Sequence, residues 1–192
     1  MSTCTEIDDD VLYDCTKPPL AGQFDEILVI PKRVIESYTT NVTNHLIVEA
    51  ITIASGSRGF TYKGNGTLLK RSYQGIKDNY GTRYTHTLPY KVASSDPDTM
   101  LQLEALATET EGLVIVGKQN YKGTAGNAKY YILGKDCGVQ AIIADLEGRN
   151  IVDVVFASME GAEEPSPPSF LYKDSETVTD ALYESYGIVQ TP

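Results

Sequence analysis

The chain has 192 residues, 41% of them hydrophobic, and a formal net charge of −10, enough for one well-packed domain. Twenty-six Asp and Glu against sixteen Lys and Arg argue against binding nucleic acid by neutralising phosphates, which needs clustered cations. No apolar run is long enough to span a bilayer, and the acidic start MSTCTEIDDDVLYDC reads as neither a secretory nor a lipoprotein leader.

Residues 1–26 are polar and turn-rich and read as an extended N-terminal arm. EILVIPK is the first strand, ended or placed at an edge by Pro31. VIESYTTNVTNH is ambiguous. HLIVEAITIASG alternates as a strand does, and RGFTYKG is a further short one. Residues 64–81, bounded by glycines, read as a long hairpin loop. Lys63, Lys70, Arg71, Lys77 and Arg83 stand out there in an acidic chain. TRYTHTLPYKV resumes the sheet, with Arg83, Thr85 and Thr87 on one side and Tyr84, His86 and Leu88 on the other. A helix is expected over 96–108: Ser95 or Asp96 can cap it, Pro97 suits its first turn, and Met100, Leu103, Leu106 and Ala107 share a face.

The stretch VGKQNYKGTAGNAKYYILG invites comparison with a phosphate-binding loop. It lacks G-x-x-x-x-G-K-[ST], and AKYYILG is strand-like where a helix would have to start. Two strand-like runs joined through Gly and Asn make a β-hairpin. CGVQAIIADLE and IVDVVFASM are two more strands around a turn at Gly148–Asn150. Residues 161–192 form a C-terminal extension. Within it GAEEPSPPSF reads as an exposed proline-rich segment and SETVTDALYESYG as a short helix capped by Ser175. The sum is a single mostly β domain over 27–192, a two-sheet sandwich or barrel with one flanking α-helix.

No constellation for chemistry emerges. His45 and His86 have no metal-ligand spacing around them and read as solvated or core-edge histidines. ASGSRGF misses the nucleophile-elbow spacing, and Cys137 has Asp136 beside it and no histidine near in sequence. Asp8, Asp9, Asp10 and Asp14 do not make a calcium loop, and Glu163 and Glu164 read as solvated acids. The expectation is no catalytic residue, no metal and no cofactor. A Cys4–Cys15 disulfide is open, but the spacing does not demand it, and free thiols in a reducing cytoplasm are the favoured reading.

Taken together, several stretches resemble phage tail tube (major tail) proteins, of the kind found in phages and prophages of gut Bacteroidetes. They are CTEIDDDVLYDCTKPPLAGQFDEILVIPK, the strands around residues 64–81, DTMLQLEALA, VGKQNYKGTAGNAKYYILGKDCGVQA and VVFASMEGAEEPSPPSF. The resemblance covers most of the domain and rests on order and character. It implies the fold shared with the type VI secretion tube protein, in which subunits form hexameric rings that stack and sheets join across subunits around a channel. It places inter-ring contacts at Lys70, Arg71, Tyr73, Lys77 and Tyr80, and arm contacts at Val11, Leu12 and Tyr13. The implied partners are other copies, other tail proteins, and viral DNA passing through the lumen without specific binding. The implied location is the virion tail, after synthesis in the bacterial host cytoplasm, with no membrane involved. Net negative charge repeated around a ring would make such a lumen repel DNA. Two other classes stay open: a head-decoration, connector or tail-terminator protein, and a ligand-binding β-sandwich module suggested by the 13 tyrosines.

Overall fold

The computed structural model describes residues 23–63, 71–78, 81–92, 97–119, 128–146 and 151–190. Short continuous apolar runs form its centre. In strand β1 (Gln23–Pro31), Ile27 to Ile30 are all buried, as are Leu113 to Val116 in β7 (Leu113–Gln119) and Tyr130 to Leu133 in β8 (Tyr130–Leu133). A strand buried on one face alternates, whereas an unbroken apolar strand must be covered on both.

The pairing shows what covers them. One sheet, here sheet A, runs β2 (Ile35–Thr40), β3 (Ile47–Ile53), β11 (Ser169–Leu171), β8, β7, β1, β4 (Phe60–Lys63). Sheet B runs β9 (Val139–Leu146), β10 (Ile151–Ser158), β6 (Gly81–Val92), β5 (Ser72–Asp78). Every pair is antiparallel except β3 with β11. The sheets connect through the pair Leu113 and Val139. Ile27, Val29, Ile115 and Tyr131 of sheet A pack against Leu88, Tyr90, Val154 and Phe156 of sheet B, forming the sandwich core. Leu28, Ile30, Val114, Val116 and Ile132 point the other way, into a second core under a C-terminal helix. The fold is therefore mostly β: two sheets with helices at their flanks.

The helix expected over 96–108 is present as α1 (Pro97–Ala107), and the C-terminal helix as α2 (Glu176–Ser185), capped by the Ser175 hydroxyl accepting the Val178 N–H at 3.3 Å. Their roles differ from the expectation of one flanking helix. α2 covers sheet A, seating Tyr183 and Tyr186 in the second core, and Tyr183 stacks on Tyr130 with centroids 4.5 Å apart. The N–H of Ile51 donates to the Tyr186 hydroxyl at 2.7 Å. α1 inserts only Leu103 and Leu106 into the sandwich, and Met100 stays 39% exposed.

Three further expectations need correction. Residues 72–78 form strand β5 instead of belonging to a long loop, because each pairs with β6 in continuous register from Ser72–Thr87 to Asp78–Gly81; residues 64–70 and 79–80 lie outside the described ones. The proline-rich segment is not wholly exposed: Glu164, Pro168 and Ser169 are buried. His86 is not solvated, the first of the two alternatives for it, being 2% exposed. The two strands around 116–134 do pair as a hairpin, Lys118 opposite Tyr130.

Gly134 makes the corner between the sheets. It sits at φ 73°, and a Cβ there would lie 2.6 Å from the Leu113 carbonyl oxygen. Left-handed backbone costs an L-residue roughly 1–2 kcal/mol before any clash. Gly134→Ala is expected to lose at least about 2 kcal/mol, lowering Tm by roughly 4–8 °C for a chain of this size. Thermal unfolding of the variant beside the parent measures this.

Candidate assembly surface

Sheets end in edges, and unpaired edges are where other chains add. Among the described residues, β2, β4 and β5 each pair on one side only. β2 is protected: it carries exposed Glu36, Ser37, Thr39 and Thr40, and its register with β3 is broken twice. Polar residues and irregular register both discourage strand addition. The run-in to β4 is tied to the C-terminal segment, Gly59 N–H to the Tyr186 carbonyl at 2.7 Å and Gly56 N–H to that of Gln190 at 2.8 Å. These bonds stop short of Phe60.

β5 differs from both. Ser72 through Lys77 are exposed on both faces, with Tyr73 at 55% and Ile76 at 40%. Tyr73 lies opposite buried His86 and so belongs to the sandwich-facing side, yet sheet A does not reach over it. The last strand of sheet B overhangs the core.

Of the residues implied as contacts, Tyr73 and Lys77 therefore share one exposed face of β5. Arg71 does not join them. Its guanidinium lies 4.5 Å over the Tyr131 ring and 5.4 Å from that of Phe170, plugging the end of the sandwich. Lys70, Tyr80, Val11, Leu12 and Tyr13, like Cys4 and Cys15, lie outside the described residues. Ile76 was missed because an isolated apolar residue in SYQGIKD is a weak signal.

Two cavities flank β4. One, about 500 Å³, is lined by Glu26, Thr61, Tyr183, Glu184 and Ile188. The other, about 350 Å³, is lined by Arg58, Phe60, Thr61, Tyr62 and Gln102, with the Arg58 guanidinium 5.3 Å from the Phe60 ring centroid. A third hollow, along α1, holds Met100, Leu101, Ala107 and Ile143.

The polar clusters are structural. Glu164, 0% exposed, accepts three consecutive N–H groups, from Asp136 at 2.9 Å, Cys137 at 2.7 Å and Gly138 at 3.1 Å. Burial raises its pKa and these donors oppose the rise. Lys129 Nζ holds Asp180 at 2.6 Å, and the Tyr130 hydroxyl donates to the same carboxylate at 2.7 Å, fastening α2 to β8. Burial acts to raise the Asp180 pKa, and its two partners more than reverse this. Burial, then Glu164 and Asp136, push the Cys137 thiol up, the opposite of an activated nucleophile. Among the described residues no group of three His, Cys, Asp or Glu could hold a metal ion, and no helix is long and apolar enough to cross a membrane. Comparisons with protein-family models, with curated proteins and with solved structures find no match to this chain.

His86 gives the fold a pH dependence. Its Nδ1 accepts the Gly134 N–H at 3.3 Å, so the neutral ring is the form that fits. Burial, reinforced by the charge of Arg71, lowers its pKa from 6.5 to about 4 against the opposing pull of the Ser166 carbonyl and Asp136. Between those values the unfolded chain holds a proton that the folded one refuses, so stability falls as pH drops from 6.5 to 4. The loss from this group is about 3 kcal/mol. In denaturant titrations at the two pH values, His86→Gln is expected to lose less stability than the parent by about that amount. Equal losses would assign the acid sensitivity elsewhere.

Proposed function

We propose that this protein is a non-enzymatic structural subunit whose copies associate edge to edge into rings, which stack into a hollow phage tail tube. The reading joins two supports: the resemblance of the sequence, and a two-sheet sandwich that leaves a strand exposed on both faces. Strand β5 carries it, so that Tyr73 and Lys77, which the resemblance alone implies as contacts between rings, serve on this reading within one. A seven-residue edge strand with Tyr73 and Ile76 exposed is an aggregation hazard in a monomer and a joining element in an oligomer.

The outward face of sheet B suits a wall along which DNA slides. Among the described residues its cations are paired, Lys91 with Asp153 at 3.4 Å and Arg83 with Glu163 at 3.1 Å, and Thr85 and Thr87 lie between them in register. Paired cations grip phosphates weakly, because little counterion release is left to gain. The hexameric ring number, the contacts with other tail proteins and the location in the virion follow from the resemblance alone.

The purified chain should show concentration-dependent association in sedimentation velocity, with rings or hollow tubes in negative-stain microscopy. Tyr73→Glu combined with Ile76→Lys should abolish these while leaving the monomer's unfolding transition within about 0.5 kcal/mol of the parent, as surface substitutions usually do. A chain that stays monomeric at high concentration, without tubes, rejects the reading.

A further inference from the structure

Strand β4 has a receptor on each of its faces. Register with β1 sets them: Thr61 stands opposite Leu28, which packs under α2, while Phe60 and Tyr62 stand opposite Val29 and Ile27, which face the other sheet. The α2-side cavity presents the carboxylates of Glu26 and Glu184. It also holds Tyr183, only 6% exposed, whose buried hydroxyl has no hydrogen-bond partner among the described residues. The α1-side cavity presents the rings of Phe60 and Tyr62. Consecutive side chains of a strand laid along β4 would enter one cavity and then the other, which is how strand addition reads sequence. Arg58 lies over the Phe60 ring and Gln102 completes that cavity, and Glu26 stands opposite Lys63 in the register, so the groove offers the exposed Glu184 carboxylate to a cation on one face and ring surface to an apolar side chain on the other.

We propose that its occupant is strand β5 of a second copy, with Lys77 entering the acidic cavity and Ile76 the aromatic one. Adjacent strand residues point to opposite faces, as these two cavities require. Both residues are exposed, and among the described residues both strands are edges. Lys77 supplies positive charge to a cavity whose exposed carboxylate is Glu184, on a chain of net charge −10 whose copies otherwise repel. The contact is heterologous, β5 of one copy on β4 of the next, so it propagates head to tail and closes into a ring or continues as a filament. This rests on the self-association proposed above and names the two surfaces that make it.

Charge exchange tests it. Lys77→Glu damages only the donor strand, and Glu184→Lys, at an exposed position on α2, damages only the acceptor groove. In sedimentation velocity at low salt each variant alone should associate at least about tenfold more weakly than the parent, since like charges meet unscreened. The double variant, and an equimolar mixture of the two single variants, should recover to within about threefold of the parent, because every contact of the double variant is charge-swapped and every contact between unlike single variants is native or charge-swapped. Should a single variant fail to fold, Lys77→Gln and Glu184→Gln replace the pair, each expected to weaken association and the effects to be less than additive. Single variants that associate like the parent, or a mixture no better than its components, overturn the inference by showing that Lys77 and Glu184 do not meet. If the parent still forms rings and tubes, the tube reading survives. A parent chain that never associates overturns both.

Discussion

The fold turns on one corner. Sheets A and B meet at Leu113 and Val139, and the backbone there is too crowded for side chains. Gly134 fits against the Leu113 carbonyl at φ 73°, and the Gly112 carbonyl accepts the Lys32 N–H at 2.9 Å. The turn from β8 to β9 presents three N–H groups inward, and the carboxylate of Glu164 collects all of them. Its own backbone makes a reciprocal pair with Tyr84, at 2.8 and 2.9 Å. One residue therefore joins the corner to β6 on sheet B. Without that carboxylate, three donors would face the interior, each costing about 1–3 kcal/mol if left unsatisfied. A buried carboxylate is tolerable here because those same donors offset its desolvation.

The corner lets the middle of sheet A be buried twice. With sheet B on one side and α2 on the other, β1, β7 and β8 cannot alternate, and their sequences do not. The close fit extends to single pairs. Gly117 lies opposite Tyr131, and a Cβ at 117 would fall among the atoms of the tyrosine ring. Tyr131 can therefore lie flat on its neighbour strand and still present its outer face to Arg71. Tyrosine recurs for the same reason on the α2 side. Tyr130, Tyr183 and Tyr186 fill a wide space with flat rings, and the hydroxyls of Tyr130 and Tyr186 reach polar partners at the margin.

These features were legible in the sequence to different degrees. ILVI, LVIV and YYIL announce strands because short apolar runs between turn residues leave few alternatives, and both helices announce themselves by their first residues, Pro97 and the Ser175 cap. The alternation of β6 is plain, and His86 fell on its inward side. Partners at long range were not legible. Nothing local distinguishes Glu164, which is buried under three N–H groups, from Glu163, which faces Arg83. Nor does any pattern announce that β3 lies parallel to β11. Strand β5 was hidden for a different reason. SYQGIKD has no inward apolar stripe because it has no core above it, so the lack of cover that makes it an edge also removes the periodicity by which strands are recognised.

That lack of cover has a physical logic in an acidic protein. At a net charge of −10, two copies repel at any distance beyond contact, and salt at physiological strength confines the repulsion to about 8 Å. Random edge-to-edge encounters are suppressed within that range, while a contact that brings a cation against carboxylates gains locally what the approach loses. Three of the edges among the described residues are graded accordingly. β2 is blunted by polar residues and broken register, β4 lies between cavities with its run-in bound to the chain's own C-terminal segment, and β5 projects clear of the core with Lys77 beside Ile76. A strand that were equally exposed but apolar throughout would pair with its own kind and aggregate. One with a single cation, meeting an acidic groove as in the proposed pairing, would add in one direction, and direction separates a ring or a tube from a precipitate.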